Sequence, residues 1–203
     1  MVKAIVFDIG GVLIDLDPAR CIEAFQTILG FGRITEILDP SHQKGIYGDM
    51  EAGILPAGEF RRLVLEESRP GCVPADVDRA MAALLVDMRE DTVKTVRRLG
   101  ARYPLYLLSN NNPISMARTY QILRQKGLEA SATFRDQFIS WEMKMLKPSP
   151  AFYREVVRRI GLPAGEILFI DDNQANVDGA LSVGMQARYY LPGSLLSALL
   201  ADL

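Results

Sequence analysis

A chain of 203 residues, 49% hydrophobic and 24% charged, has the length and balance of one folded core domain with room for a small insertion. That composition excludes a disordered, collagen-like or disulfide-stapled protein, and a net charge of -2 removes the electrostatic case for general nucleic-acid binding. The two cysteines, Cys21 and Cys72, show no metal or redox spacing, and the single histidine, His42, rules out a His-rich zinc site.

The first apolar run, residues 4–7, is short and ends at Asp8, the pattern of a strand buried on both faces. It is too short for a signal peptide, and no later run reaches the ~18–20 apolar residues of a membrane span. A cytoplasmic location, away from membranes, is expected. Residues 16–88 then show helical periodicity and no convincing strand. Helices are expected over 19–29, 41–50, 56–67 and 76–85, separated by Gly30, Gly53 and the Arg69-Pro70-Gly71 turn. A block of helices inserted after the first strand reads as a small lid.

Strands and helices alternate from there on. The spacing of Val93, Val96 and Leu99 predicts a helix over 91–99 that stops at Gly100. A strand at 105–108 leads into a helix over 113–123, with Pro113 in its first turn. A strand at 138–139 precedes a helix that has Ser149 as N-cap, Pro150 at its first position and its end at Gly161. A strand at 167–170, a helix over 173–183 ended by Gly184, and a fifth strand within 185–190 complete the pattern. Alternation of this kind predicts a doubly wound α/β fold with a parallel sheet. Its core is expected in residues 1–15 and 89–203, and its α-helical cap in 16–88. Leu195, Leu196, Leu199 and Leu200 are expected to dock on the sheet.

An open parallel sheet binds ligands beyond the carboxyl ends of its strands. The chain places Asp8-Ile9-Gly10-Gly11 after the first strand and Ser109-Asn110-Asn111-Asn112 after the second. Lys147-Pro148 follows the third, and Asp171-Asp172-Asn173 the fourth. Carboxylates gathered at one edge repel each other and any anionic substrate. A hard cation relieves this, and Mg²⁺ is commonly held by one or two carboxylates, water and a substrate phosphate. Lys147 adds a fixed positive charge without competing as a ligand. Gly10 and Gly11 are expected to leave backbone amides open to a phosphoryl group.

These segments resemble the four motifs of the haloacid dehalogenase (HAD) superfamily. They are Phe7-Asp8-Ile9-Gly10-Gly11-Val12, Leu108-Ser109-Asn110, Lys147-Pro148 and Ile170-Asp171-Asp172-Asn173, in the family's order and spanning nearly the whole core. The resemblance implies a Rossmann-like core with a small helical cap. It also implies a Mg²⁺-dependent phosphatase for a small phosphorylated metabolite such as a sugar phosphate, working as a monomer or weak homodimer. It makes Asp8 the nucleophile that forms an aspartyl-phosphate. Ser109 matches the residue that hydrogen-bonds the transferring group, and Lys147 the one that balances its charge. Asp8, Asp172 and the Gly10 carbonyl would hold Mg²⁺, with Asp171 more peripheral. Gly10, Gly11, Ser109, Asn110 and Lys147 would surround the substrate.

Gly10 departs from the family pattern. Most family phosphatases carry a second Asp there, as general acid and then base, help typically worth ~10²–10⁴-fold. Three readings stay open: a phosphatase with a good leaving group, a dehalogenase whose halide needs no proton, or a homologue that only binds. Family dehalogenases work without metal and have Tyr and Thr around the glycine, so the pair Asp171 and Asp172 favours the phosphatase. The Ser-Asn run, the stretch into Lys147-Pro148 and the Asp-Asp-Asn turn also resemble a branch with Gly in this position, which includes α-D-glucose 1-phosphate phosphatase. Specificity is expected from the cap face, residues 16–54. Ser109 and Asn110 also suit capping of the helix after them, as Asp171 to Asn173 do. His42 reads as a solvated or packed cap residue, and Trp141, Met143 and Met145 as packing near the rim of the site.

Overall fold

Ala4–Phe7 forms the central strand, β1, of a five-stranded sheet in a computed structural model that describes residues 1–37 and 45–203. The other strands are β2 (Leu105–Ser109), β3 (Asp136–Ile139), β4 (Ile167–Asp171) and β5 (Gln186–Tyr189). All pairings are parallel, in the order β3-β2-β1-β4-β5. Ile5 sits opposite Leu105 on one side and Leu168 on the other. Because side chains alternate across a strand, Ile5, Phe7, Leu107 and Ile170 enter one core, while Ala4, Val6, Leu108 and Phe169 enter the other. Both faces are covered, which is why these strands read as unbroken apolar runs.

Helices α6 (Glu90–Gly100) and α7 (Pro113–Gln125) cover the first face, and α10 (Pro150–Ile160) and α11 (Gln174–Leu181) the second. Gly100 lies inside the last turn of α6 rather than ending it, because the chain leaves through a tight turn in which Arg102 and Tyr103 both donate to the Leu99 carbonyl. Asn112, not Ser109 or Asn110, caps α7: its side chain accepts from the amides of Ile114 and Ser115. Ser149 makes no side-chain capping bond to α10, whereas Asn173 caps α11 through the amide of Ala175. Gly161, at φ 74°, ends α10 in the left-handed region as its position predicts.

β3 begins two residues before its apolar signal, since Asp136 and Gln137 are the exposed and half-buried part of the strand. Four short helices carry too little periodicity to be read from sequence: α2 (Ile34–Ile37), α8 (Ala130–Thr133), α9 (Ser140–Met143) and α12 (Leu196–Leu199). Leu196 and Leu200 are buried in the first core beside α6, while Leu195 is exposed.

The inserted cap holds α1 (Pro18–Ala24), which continues as a π turn over Phe25–Leu29 up to Gly30, and then α3 (Gly45–Glu51), α4 (Ala57–Glu66) and α5 (Pro74–Ala82). Phe25, Met50, Phe60, Val64 and Met81 form a separate core, joined by Ile114 of α7. The start of the helix expected over 41–50, and His42 with it, lie outside the described residues. The two connections to the sheet run side by side. Asp17 N donates to Leu84 O (2.8 Å), Val86 N to Asp15 O (2.9 Å) and Asp15 N to Asp87 O (3.0 Å). Among the described residues, no helix is long and apolar enough to cross a membrane.

Candidate active site

The site begins where β1 ends. Asp8 N donates to Ile170 O at 2.9 Å, which carries the sheet pairing one residue past the strand and delivers the carboxylate to the sheet edge. The chain then turns: Leu13 N and Ile14 N both donate to Ile9 O (3.0 and 2.9 Å), and Gly11 N donates to Ile14 O (2.9 Å). The expectation that the Gly11 amide is open to a phosphoryl group is therefore corrected, because the turn closes on it. Gly11 provides room instead. Its φ is 79°, and a Cβ there would overlap the Asp172 carboxylate. Gly11→Ala is expected to cost about 1–3 kcal/mol and to displace Asp172. Denaturation with and without Mg²⁺ checks this, and the metal-dependent part of the stability should shrink.

Lys147 is only 4% exposed. Its Nζ lies 2.8 Å from Asp8 Oδ1, 2.6 Å from Asp171 Oδ2 and 5.5 Å from the centre of the Phe169 ring. Its main chain is held by Asn110, whose Oδ1 accepts from Lys147 N (2.8 Å) and whose Nδ2 donates to Lys147 O (3.0 Å). Asn110 also lines the cavity, as its expected place around the substrate requires. Asp171 is fully buried and accepts from Lys147, from the Asn173 amide (2.8 Å) and from Asn176 Nδ2 (3.0 Å). It holds Lys147 in place, and Asp8 and Asp172 are the carboxylates that line the cavity from the sheet side.

That cavity has a volume of about 920 Å³. Asp8, Gly10, Ser109, Lys147 and Asp172 form its sheet side, and Tyr47 and Glu51 of α3 face it from the cap. The Ser109 hydroxyl has one weak contact, 3.4 Å to the Asn110 carbonyl. A Cβ on Gly10 would meet Leu16 Cδ1 at 3.1 Å, so Leu16 fills part of the space of the missing second carboxylate. Trp141, Met143 and Met145 pack against the two sheet cores and do not line the cavity.

Residues 2–184 match the family model of haloacid dehalogenase-like hydrolases. The chain belongs to this family. It is 29% identical over 190 residues to the D-ribitol-5-phosphate phosphatase of Bacteroides thetaiotaomicron, a match that covers 92% of this chain and 90% of the relative. A HAD family enzyme of the same organism, solved with magnesium and inorganic phosphate, has a TM-score of 0.91 at 31% identity and is covered over 100% of its length by 98% of this chain. The L-2-haloacid dehalogenase of Xanthobacter autotrophicus shares the fold alone, with a TM-score of 0.67 at 22% identity, over 100% of this chain and 84% of that one.

The donor set of this HAD hydrolase fits Mg²⁺. Asp8, Asp171 and Asp172 offer oxygens that all lie within 4.8 Å of one another. Burial pushes the Asp8 carboxyl up to about 7, with Lys147 opposing and the charges of Asp171 and Asp172 adding to the rise. Burial and Asp171 push Asp172 up to about 6 against the pull of Lys147. Burial disfavours the charge on Lys147, but Asp171 and Asp8 outweigh it and raise its pKa above the ordinary value. Asp8 Oδ1 is buried and has no hydrogen-bond partner beyond its ion pair with the lysine. Excess negative charge on oxygen-only donors is what a hard divalent cation neutralises. The chain is a Mg²⁺-binding hydrolase of the phosphatase kind.

Sequence reasoning missed Tyr47, Glu51, Ser115 and Asn176, which also line the cavity. The first two lie one helical turn apart within the stretch expected to set specificity, but no motif marks them.

Proposed function

We propose that this enzyme hydrolyses the phosphate ester of a small sugar or sugar alcohol through an aspartyl-phosphate on Asp8. One observation carries the reading: the buried Asp8 carboxylate faces a cavity of about 920 Å³, with Lys147 at 2.8 Å and Asp172 beside it. That volume lies in the ordinary range of small-molecule sites. In the first step Asp8 attacks phosphorus and the alcohol leaves. In the second, water attacks the phosphorus and the Asp8 carboxylate is released, so one difficult displacement becomes two easier ones. Lys147 balances charge on the phosphoryl oxygens, and the Ser109 hydroxyl hydrogen-bonds one of them. Asp8, Asp172 and the Gly10 carbonyl would hold Mg²⁺, which would supply Lewis-acid neutralisation of the phosphate charge. The cap, residues 16–88, excludes water and selects the alcohol portion.

The D-ribitol-5-phosphate phosphatase relative supports a phosphorylated polyol. Gly10 supports a second candidate class, the sugar 1-phosphates, whose anomeric leaving group depends less on the missing acid. The test is phosphate release from p-nitrophenyl phosphate and from a panel of sugar and sugar-alcohol phosphates, with Mg²⁺ or with EDTA. Turnover is expected on members of the panel, with a loss of ~10²-fold or more in EDTA. Folded protein that releases phosphate from none of them overturns the reading.

A further inference from the structure

The cap-side wall of the cavity carries polar chemistry that phosphate transfer does not use. Tyr47 and Glu51 occupy successive turns of α3, and both line the cavity. Burial first, and then the charge of Glu51, raise the pKa of the Tyr47 hydroxyl well above its ordinary value. Glu51 is only 3% exposed, so a carboxylate has been taken out of water at a place where most of the surface could have been apolar.

Its position is fixed from the core. The Ser140 hydroxyl, at the start of α9, donates to the Glu51 carbonyl at 2.6 Å and accepts from the Asn111 amide at 3.0 Å. Ser140 is fully buried. One hydroxyl therefore ties the end of α3 to the loop after β2, at Asn111, two residues past Ser109.

Ser115 supplies the independent observation. It lies in the first turn of α7, is 3% exposed and lines the same cavity. Its Oγ is buried and has no hydrogen-bond partner. A buried hydroxyl left without a partner is rare and destabilising, and a ligand hydroxyl placed in the cavity would complete it.

We propose that Glu51, Tyr47 and Ser115 form a hydroxyl-reading subsite that binds the polyhydroxylated carbon chain of the substrate and selects it over an alkyl chain of equal length. The subsite rests on the reading of the cavity as a phosphatase site. The Glu51 carboxylate accepts from substrate hydroxyls, a charge-assisted bond that neutral acceptors do not match. The Ser115 hydroxyl accepts or donates as the ligand requires. An alkyl chain leaves the Ser115 hydroxyl buried without a partner, and sites built this way reject the analogue strongly.

The experiment compares kcat/KM for a pentitol 5-phosphate and for n-pentyl phosphate. The wild-type enzyme should prefer the pentitol ester by ~10²-fold or more. Ser115→Ala, which breaks no protein hydrogen bond, and Glu51→Gln should each reduce that ratio by roughly tenfold or more, chiefly through KM. A ratio that stays within about twofold of wild type in both variants overturns the subsite. Absence of turnover on any phosphate ester would instead count against the phosphatase reading. The subsite is then read by calorimetry in the Asp8→Asn background. Ser115→Ala should weaken the pentitol ester and leave inorganic phosphate unaffected, and equal affinity for the pentitol ester with and without Ser115 overturns it.

Discussion

Asp8→Asn is expected to abolish phosphate release, by roughly 10⁴-fold or more, while the protein stays folded. The amide is the same size as the carboxylate but does not attack phosphorus. Its effect on stability is set by two opposed changes. The variant loses the 2.8 Å ion pair with Lys147. It also removes one of three carboxylates crowded within 4.8 Å, at a position where burial and its neighbours push the acid up to about 7. Lys147 keeps Asp171 at 2.6 Å and is not stranded. The net change should stay within about 1 kcal/mol, because a strongly raised carboxyl pKa means that burying the charge was already unfavourable. Melting curves without metal check the second half, and phosphate release over long incubations the first. Residual activity within tenfold of wild type would move the nucleophile to another residue. A large drop in Tm would make Asp8 a structural partner of Lys147 first and a nucleophile second.

The parts of this fold that were legible in the sequence are those buried on both sides. Residues 4–7, 105–108 and 167–170 are apolar throughout because helices cover both faces of the sheet. The first half of β3 is polar and exposed, and β5 is an edge strand whose residues are half-buried or exposed. Apolarity therefore missed the start of β3 and gave β5 only as a run whose buried ends, Met185 and Tyr190, lie just outside the strand. The site was legible for a related reason. Parallel strands bring their carboxyl ends to one edge, so four separated motifs converge without any knowledge of side-chain direction.

Side-chain direction is what the sequence withheld. Asp171 and Asp172 are adjacent and look equivalent, yet Asp171 is the last residue of β4 and points to Lys147 and Asn176, while Asp172 lies past the strand and faces the cavity. Gly10 and Gly11 also look equivalent. One lines the cavity, and the other has its amide closed in a turn and its missing side chain replaced by the Asp172 carboxylate. Tyr47, Glu51 and Ser115 had no sequence signal at all, because a polar residue on a helix is most often solvated and only the packing of the cap over the sheet buries these three beside the cavity.

Lys147→Met should be the most damaging substitution for the fold around the site. Methionine keeps the length of the side chain and suits its packing near Phe169. What it removes is the cation that Asp8 and Asp171 share at 2.8 and 2.6 Å. Breaking a buried pair from one side leaves uncompensated charge and costs about 3–5 kcal/mol. In a chain of this size that corresponds to a fall in Tm of roughly 6–20 °C. Turnover should fall by ~10²–10³-fold beyond any loss of folded protein, the usual effect of removing one positioned charge from a phosphoryl site. The cost comes from stranded carboxylates, so removing one of them should return part of it. In Lys147→Met/Asp171→Asn, the amide oxygen can still accept from Asn173 N and Asn176 Nδ2, the two donors that meet Asp171 Oδ1. The amide nitrogen then takes the side that Lys147 faced. The double variant should be more stable than Lys147→Met alone, a positive coupling between residues in one network. Strict additivity of the two losses would show instead that the lysine stabilises the core by packing and not by charge.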